Sequence, residues 1–214
     1  YMEYMGEGIL IDCGEGTQRQ LKIAGIKPTK INSILITHWH GDHVLGLPGL
    51  LQTLNSSDYS GVLKIYGPKN TKKYFEHMFK AFSFNINFEH EIFDIEEYDF
   101  KTKNLEIFVK PLDHGIPCLG YLIKEKDRRR LKISEIKKLN IPEGPLLGKL
   151  QDNKKIQFNN KTIDPKDVTY LVKGKKISII LDTLNCNNIN KLSIDADLLI
   201  IGIVEPPRAI FLNR

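Results

Sequence analysis

The stretch Thr37-His38-Trp39-His40-Gly41-Asp42-His43 constrains this chain more than any other. It sets three imidazoles and one carboxylate within six residues, directly after the apolar run Ile34-Leu35-Ile36. Gly46, Leu47, Pro48 and Gly49 follow and read as the opening of a helix. A strand running into a tight loop and then a helix is a common place for a site, because rigid elements hold the loop on both sides. Imidazole is the commonest metal ligand, and a carboxylate adds a hard oxygen. Alternate side chains along such a loop point apart, which suits two adjacent ions. Two metals roughly 3.5–4 Å apart are the usual device for hydrolysing a phosphoester by in-line attack. The competing reading is a solvated loop with idle histidines. Against it, three of only six histidines in 214 residues fall here, and HxHxDH after an apolar strand is a specific signal.

The length allows one substantial core, so a single domain over residues 1–214 is the expectation. Hydrophobic content of 41% and charged content of 27% fit a soluble globular protein. The longest apolar run, Ala196 to Val204, is interrupted by Asp197 and Gly202. It falls far short of the roughly 20 residues that span a bilayer. No basic-then-apolar leader opens the sequence, so no signal peptide is expected. Cys13, Cys118 and Cys186 are scattered and form no CxxC, which argues against a disulfide framework or a zinc knot. A reducing, cytoplasmic setting follows as an expectation.

The formal charge of +5 is uneven. From Lys124 to Lys155 there are eleven Lys and Arg against five Asp and Glu, so this segment carries the whole excess, Arg128-Arg129-Arg130 included. A localised basic patch is the electrostatic footprint of a polyanion partner, although a solvated loop gives the same count.

In chain order, Gly8 to Cys13 reads as a strand, Gly14-Glu15-Gly16 as a turn, and Thr17 as the cap of a helix over Gln18 to Ala24. Strands follow at Ile34–Ile36 and Leu63–Tyr66, with a helix from Gly46 to Leu54 between them. Thr71 reads as the cap of a helix to about Phe79 that carries Tyr74, Met78 and Phe79 on one face. Asn85 to Asp94, Leu105 to Lys110 and Leu119 to Ile123 read as strands. A short helix is expected at Ser134–Leu139, and a turn-rich stretch from Ile141 to Gly148. Ile177 to Leu181 and Leu198 to Val204 read as strands, with a helix at Asn187 to Leu192 between them. This alternation predicts α/β layers with mixed sheets. Candidate ligands then sit at strand ends: His38–His43, His114 and Asp182. His77, inside a helix pattern, and His90, between Glu89 and Glu91, read as surface histidines.

These residues carry a resemblance to a known family. The loop resembles the HxHxDH signature of the metallo-β-lactamase superfamily, and four further stretches resemble its tRNA 3′-processing endonucleases, the ribonuclease Z family. Asp12-Cys13-Gly14-Glu15-Gly16-Thr17-Gln18-Arg19-Gln20 is similar to that family's DCGEGTQxQ, and Gly46 to Leu51 to its GLPGLL. Pro111-Leu112-Asp113-His114-Gly115 matches its third metal motif, and Ile141 to Pro145 with Leu150 resembles IPxGPxxGxL. The resemblance implies an α/β fold, the metallo-β-lactamase αββα sandwich, with an inserted tRNA-binding arm over 124–164. It implies two Zn²⁺ ions, one held by His38, His40 and His114, the other by Asp42 and His43, with Asp182 bridging. Asp42 would also act in catalysis by orienting or deprotonating the attacking hydroxide. Arg128, Arg129, Arg130, Lys132, Gly144 and Pro145 would contact tRNA in the arm, where phosphate contacts position the substrate without reading its sequence. The reaction implied is removal of the 3′ trailer from precursor tRNA, leaving a 3′-hydroxyl for CCA addition, by a cytoplasmic homodimer.

The chain also departs from the pattern. It starts after the family's first strand and Gly-Thr turn. The family follows Ala-Asp-Leu-Leu-Ile with His-Glu-Ala, whereas Ala196 to Ile200 are followed here by Ile201-Gly202-Ile203. No histidine occurs after His114, and Glu205-Pro206-Pro207-Arg208 does not resemble the family. The second zinc site is therefore expected to be weak. A shortened gene product and a divergent homologue both fit these departures. Two other functions stay open: an inactive homologue that binds tRNA, and a metallo-phosphodiesterase of the same superfamily.

Overall fold

Short apolar strands feed the first sheet of the structure, a computed structural model in which residues 1–204 are described; the Glu205–Arg208 tail lies outside the described residues. The strands β1 (Met2–Tyr4) and β2 (Glu7–Ile11) form a hairpin, and α1 (Thr17–Ile23) follows. A 3₁₀ turn at Pro28–Lys30 leads to β3 (Ile31–Leu35), then the short α2 (Gly41–Val44) and α3 (Leu47–Ser56). Next come β4 (Leu63–Gly67), α4 (Thr71–Lys80) and β5 (His90–Asp94). Strands β2 to β5 are parallel neighbours in chain order, and β1 adds an antiparallel edge.

The helix caps differ from the expectation. Gly16 and Asn70, both in the left-handed region, hold the N-cap positions of α1 and α4. Thr17 and Thr71 are instead the first helical residues, and their hydroxyls donate back to Gly14 and Pro68 carbonyls at 2.8 and 2.7 Å. The strand expected from Asn85 begins only at His90. The Asn55 side chain holds the backbone at Asn85 and Asn87, so that stretch is a pinned loop rather than a ladder. On α4 the buried residues are Thr71 and Phe75, and Tyr74 is left 41% exposed.

The second sheet begins with β6 (Phe100–Lys101), β7 (Leu105–Leu112) and β8 (Cys118–Glu125). Residues 124–175 then form a compact unit of their own. It contains β9 (Arg128–Leu131), α5 (Ile133–Lys138), α6 (Pro145–Gln151), β10 (Ile156–Phe158), β11 (Lys161–Ile163), α7 (Pro165–Val168) and β12 (Thr169–Val172). The turn-rich stretch expected at Ile141–Gly148 thus opens α6, with Pro145 in its first turn, where a missing N–H costs nothing. The basic stretch expected over 124–164 falls inside this unit, which continues to Lys175. The unit has its own small core of Ile136, Ile141, Leu150, Ile156, Ile163 and Val168.

The chain returns to the second sheet with β13 (Lys176–Thr183), α8 (Asn187–Ser193) and β14 (Leu198–Ile203), giving the order β14-β13-β8-β7-β6. The strand β14 runs parallel to β13 at the edge, with Leu198 to Ile201 and Ile203 all 41–60% exposed.

Three apolar layers define the architecture. Leu21, Leu47, Leu50, Leu54 and Phe75 from the helices pack on Ile34, Ile36, Leu63 and Ile65 of the first sheet. The opposite faces of β2 and β3, Ile9 and Leu35, pack on Ile107, Val109, Leu119, Tyr121 and Ile179 of the second sheet. Leu192 of α8 covers Leu112, Cys118, Leu122 and Ile180 on its far side. This is an αββα sandwich of mixed sheets. Because side chains alternate along each strand, a one-residue slip of β3 would exchange its helix-facing and sheet-facing residues, so its register is strongly specified. Each fully buried Leu or Ile contributes about 1.5–3 kcal/mol of transfer free energy. Among the described residues, no helix is long and apolar enough to cross a membrane.

Candidate metal centre

The strand β3 delivers the histidine loop. Burial continues past its end through Ile36, Thr37 and His38, so the loop starts inside the core rather than on the surface. Backbone hydrogen bonds hold it from both sides. Thr37 accepts from Leu119 N at 2.9 Å, and Tyr121, fully buried, donates its hydroxyl to Ile36 O at 2.6 Å. Cys13 N donates to His43 O, and Gly46 N to Cys13 O, both at 2.8 Å. Two glycines make this close approach possible. A Cβ on Gly14 would lie 2.1 Å from the Asp42 carbonyl oxygen, and one on Gly46 would lie 2.1 Å from that of Gly14. The motifs around Asp12 and Gly46 therefore pack directly against the histidine loop.

The other two candidates arrive from the second sheet. His114 follows the end of β7, and Asp182 lies near the end of β13. The pairing of β13 with β14 shifts register between Ile180 and Thr183, and Asp182 has φ 50. A bulge of this kind re-aims one side chain, here a carboxylate towards the imidazoles. Leu184 N donates to Asp113 O at 2.7 Å, which ties the His114 loop to the end of β13.

The structure brings His38, His40, His43, His114 and Asp182 together. His38, His40 and His114 form one set with ligand atoms within 4.8 Å of one another; His38, His43 and Asp182 form another. His114 Nε2 and His40 Nδ1 are 3.0 Å apart. The Asp182 carboxylate is 3.1 Å from His43 Nε2 and 4.0 Å from His38 Nε2. Asp42 lies outside both sets at the rim, 77% exposed, 3.5 Å from His43 Nε2. His77 and His90 are exposed.

A residue without an assigned role in the sequence organises the cluster. Asp12, buried and at φ 54, accepts hydrogen bonds from Thr37 N, the Thr37 hydroxyl and His43 Nδ1, each at 2.7 Å. The Thr37 hydrogen is thereby committed to Asp12, so at 3.0 Å His38 Nδ1 donates to Thr37 Oγ1. Both His38 and His43 then present Nε2 inward. His38 Nε2 is fully buried with no hydrogen-bond partner among the described residues. A buried polar atom without a partner is costly, and an imidazole lone pair among other ligand atoms is what a metal ion satisfies. The donor set is that of a metal centre. The signals for Asp12 and Thr37 in the sequence were a carboxylate ending an apolar strand and a hydroxyl just before the first histidine.

The electrostatics agree with this arrangement. Burial, then the imidazoles of His43, His114 and His40, lower His38 to about 4, so it is neutral at physiological pH. The Asp12 hydrogen bond raises His43 to about 9, with the Asp182 and Asp42 carboxylates adding to it. Without a metal, a cationic His43 sits among three carboxylates. Cys13 and Cys118 are buried and pushed up to about 12, which makes them packing residues rather than thiolate ligands.

The residues expected to contact RNA belong to the 124–175 unit. Arg128 and Arg130 point outward from β9, and Arg129, half-buried, donates to Thr169 Oγ1 at 3.0 Å. The strand β12 puts Tyr170 opposite Arg130. Lys132 Nζ donates to Asp167 O at 3.2 Å, and Gly144 and Pro145 are exposed at the start of α6.

Comparison with known proteins adds a family and several relatives. Residues 1–126 match the profile described as metallo-beta-lactamase superfamily. A ribonuclease Z of Nanoarchaeum equitans is 41% identical over 201 residues, covering 93% of this chain and 63% of that protein. A ribonuclease Z of Thermococcus sibiricus is 43% identical over 201 residues, covering 93% of this chain and 66% of that protein. The chain thus spans just under two thirds of the length of these relatives. The crystal structure of human tRNase Z, short form, superposes with a TM-score of 0.64 at 24% identity, over 92% of this chain and 68% of that one.

Proposed function

The chain belongs to the metallo-beta-lactamase superfamily, and from that premise we propose that it serves as a zinc-dependent endoribonuclease that removes the 3′ trailer of precursor tRNA and leaves a 3′-hydroxyl for CCA addition. One observation carries the reading. The superfamily profile stops at residue 126, whereas the likeness to ribonuclease Z covers 93% of the chain. It therefore takes in most of the basic 124–175 unit as well as the histidine loop. In this proposal His38, His40 and His114 hold one zinc, and Asp42 and His43 hold a second, with Asp182 between. Zinc ions, when bound, lower the pKa of water and stabilise charge on phosphate oxygens. The chain supplies the rest. Asp12 and Thr37 orient the two inward-facing imidazoles, and Asp42, exposed at the rim, orients or deprotonates the attacking water. Arg128, Arg129, Arg130 and Lys132, with the backbone at Gly144 and Pro145, hold the tRNA. A cytoplasmic homodimer is part of the same proposal, with light scattering as its check.

Incubating the zinc-loaded protein with precursor tRNA and, separately, with bis(p-nitrophenyl) phosphate tests the reading. Cleavage of the tRNA at the trailer junction supports it. Hydrolysis of the small ester alone points to a phosphodiesterase, and salt-sensitive tRNA binding without cleavage in Zn²⁺ or Mn²⁺ points to a binding homologue. Atomic emission is expected to count about one zinc per chain, since among the described residues the second ion has only Asp42, His43 and Asp182 as candidate ligands; a stable two would show that inference wrong.

A further inference from the structure

Beside the metal centre lies a cavity of about 430 Å³ whose walls include Trp39, Leu45, Tyr74, Met78 and Ile116. His40 belongs to both places: it lines the cavity, and its Nδ1 is 3.0 Å from His114 Nε2. Trp39 is fixed in orientation, because its indole N–H donates to Thr71 Oγ1 at 2.8 Å while the Thr71 hydroxyl donates to Pro68 O. The Trp39 and Tyr74 rings are tilted by 54° with centroids 5.5 Å apart, so they form an open aromatic angle rather than a closed stack. Lys69 also lines the cavity. Its ammonium is 3.9 Å from Glu96, with both side chains about 70% exposed. Such a pair is worth little in water, so the ammonium can turn to a phosphate.

We propose that this cavity receives an unpaired nucleobase of the substrate strand, the base next to the scissile phosphodiester, and stacks it on Trp39. The inference rests on the reading of the chain as a ribonuclease. Three observations select a nucleobase. The wall is apolar and aromatic, and every base offers a π face to such a wall irrespective of sequence. A cation stands at the rim for the backbone. The cavity shares His40 with the place where the phosphate reacts. Tyr74 and Met78 are the second wall, which explains why Tyr74 stays exposed on α4 while Phe75 is buried.

Trp39 is the single tryptophan of the chain, so its fluorescence reports on this cavity and on the histidines that flank it. The zinc-loaded protein is titrated with a single-stranded oligoribonucleotide spanning a trailer junction, and with the same strand made abasic at the two nucleotides flanking the junction. The intact strand is expected to quench Trp39 saturably, and the abasic strand to bind about ten-fold more weakly without quenching. By anisotropy of a labelled intact strand, Trp39→Leu and Tyr74→Ala are expected to weaken binding about ten-fold, and Trp39→Phe only about two-fold. Equal binding and quenching by the abasic strand would overturn the proposal without recourse to any variant. Quenching by free AMP as strong as by the strand would also overturn it, by assigning the cavity to a mononucleotide. The two readings fail separately: tRNA cleavage with a silent Trp39 sinks the cavity, whereas base-dependent quenching without tRNA cleavage sinks the ribonuclease.

Discussion

The metal loop and the basic unit are both polar regions with proposed tasks, yet they are built in opposite ways. Around His38 each donor atom is set by a partner: Asp12 by three hydrogen bonds, Thr37 by Asp12, and the inward face of His38 by Thr37. In the 124–175 unit Arg128 and Arg130 stand in solvent on a two-stranded ribbon, above a core of six buried apolar residues. Holding a metal demands lone pairs fixed to fractions of an ångström, so it needs a buried, fully bonded scaffold. Contacting a polyanion demands charge at a surface, which survives substantial freedom of the side chain. One region is therefore intolerant of single changes, and the other is tolerant of them and sensitive to salt.

The sharpest way to break this contrast is at His38. His38→Ala is expected to abolish zinc binding as counted by atomic emission, and to lower small-ester hydrolysis at least 10³-fold; retention of zinc would show that the orphaned Nε2 is not a ligand. A smaller effect is expected one step away from the donors. Asp12→Asn leaves every candidate ligand in place but unseats His43, and should weaken zinc binding about 10–100-fold. It should also destabilise the metal-free protein by about 1–3 kcal/mol in urea unfolding. If Asp12→Asn binds zinc like wild type, the positioning network is ornamental.

In the basic unit the expected effects are milder and depend on conditions. Changing Arg128, Arg129 and Arg130 together to Gln should weaken tRNA binding at fixed salt at least ten-fold and flatten its salt slope by up to about three units. A small ester, which offers these residues nothing to hold, should be hydrolysed at the wild-type rate. Unchanged tRNA affinity would remove these arginines from the interface.

The smallest effect is a pH dependence of the metal-free protein. His43 titrates near 9 in the fold against an ordinary 6.5, so the stability it contributes is complete below 6.5 and is lost as pH rises through about 9. His38 titrates near 4, so its contribution is present above 6.5 and is lost as pH falls towards 4. Melting curves of chelator-treated protein should peak between these windows, and His43→Gln should remove the decline on the alkaline side only.

Much of this was legible in the sequence alone. The HxHxDH loop after an apolar strand, the later histidine at His114, the carboxylate at Asp182 and the basic segment all follow from residue type and spacing. So does the α/β alternation, because period-2 and period-3.6 apolar patterns are local. What spacing could not show is anything carried by contact between distant residues. Asp12 opens the stretch similar to DCGEGTQxQ, but it lies 25 positions before Thr37 and 31 before His43, and spacing does not show that it holds either one. Tyr74 shares a helix with Phe75, and the amphipathic pattern alone cannot decide which of two adjacent aromatics is buried; the first sheet took Phe75, and Trp39 took the ring of Tyr74. The strand boundary at Asn85 failed for the same reason, since the side chain that pins it belongs to Asn55. Sequence determined which chemistry the chain carries, because ligand type and periodicity are properties of short stretches. Tertiary structure alone decided which atoms face one another, because hydrogen-bond geometry and burial are set by residues brought together from far along the chain.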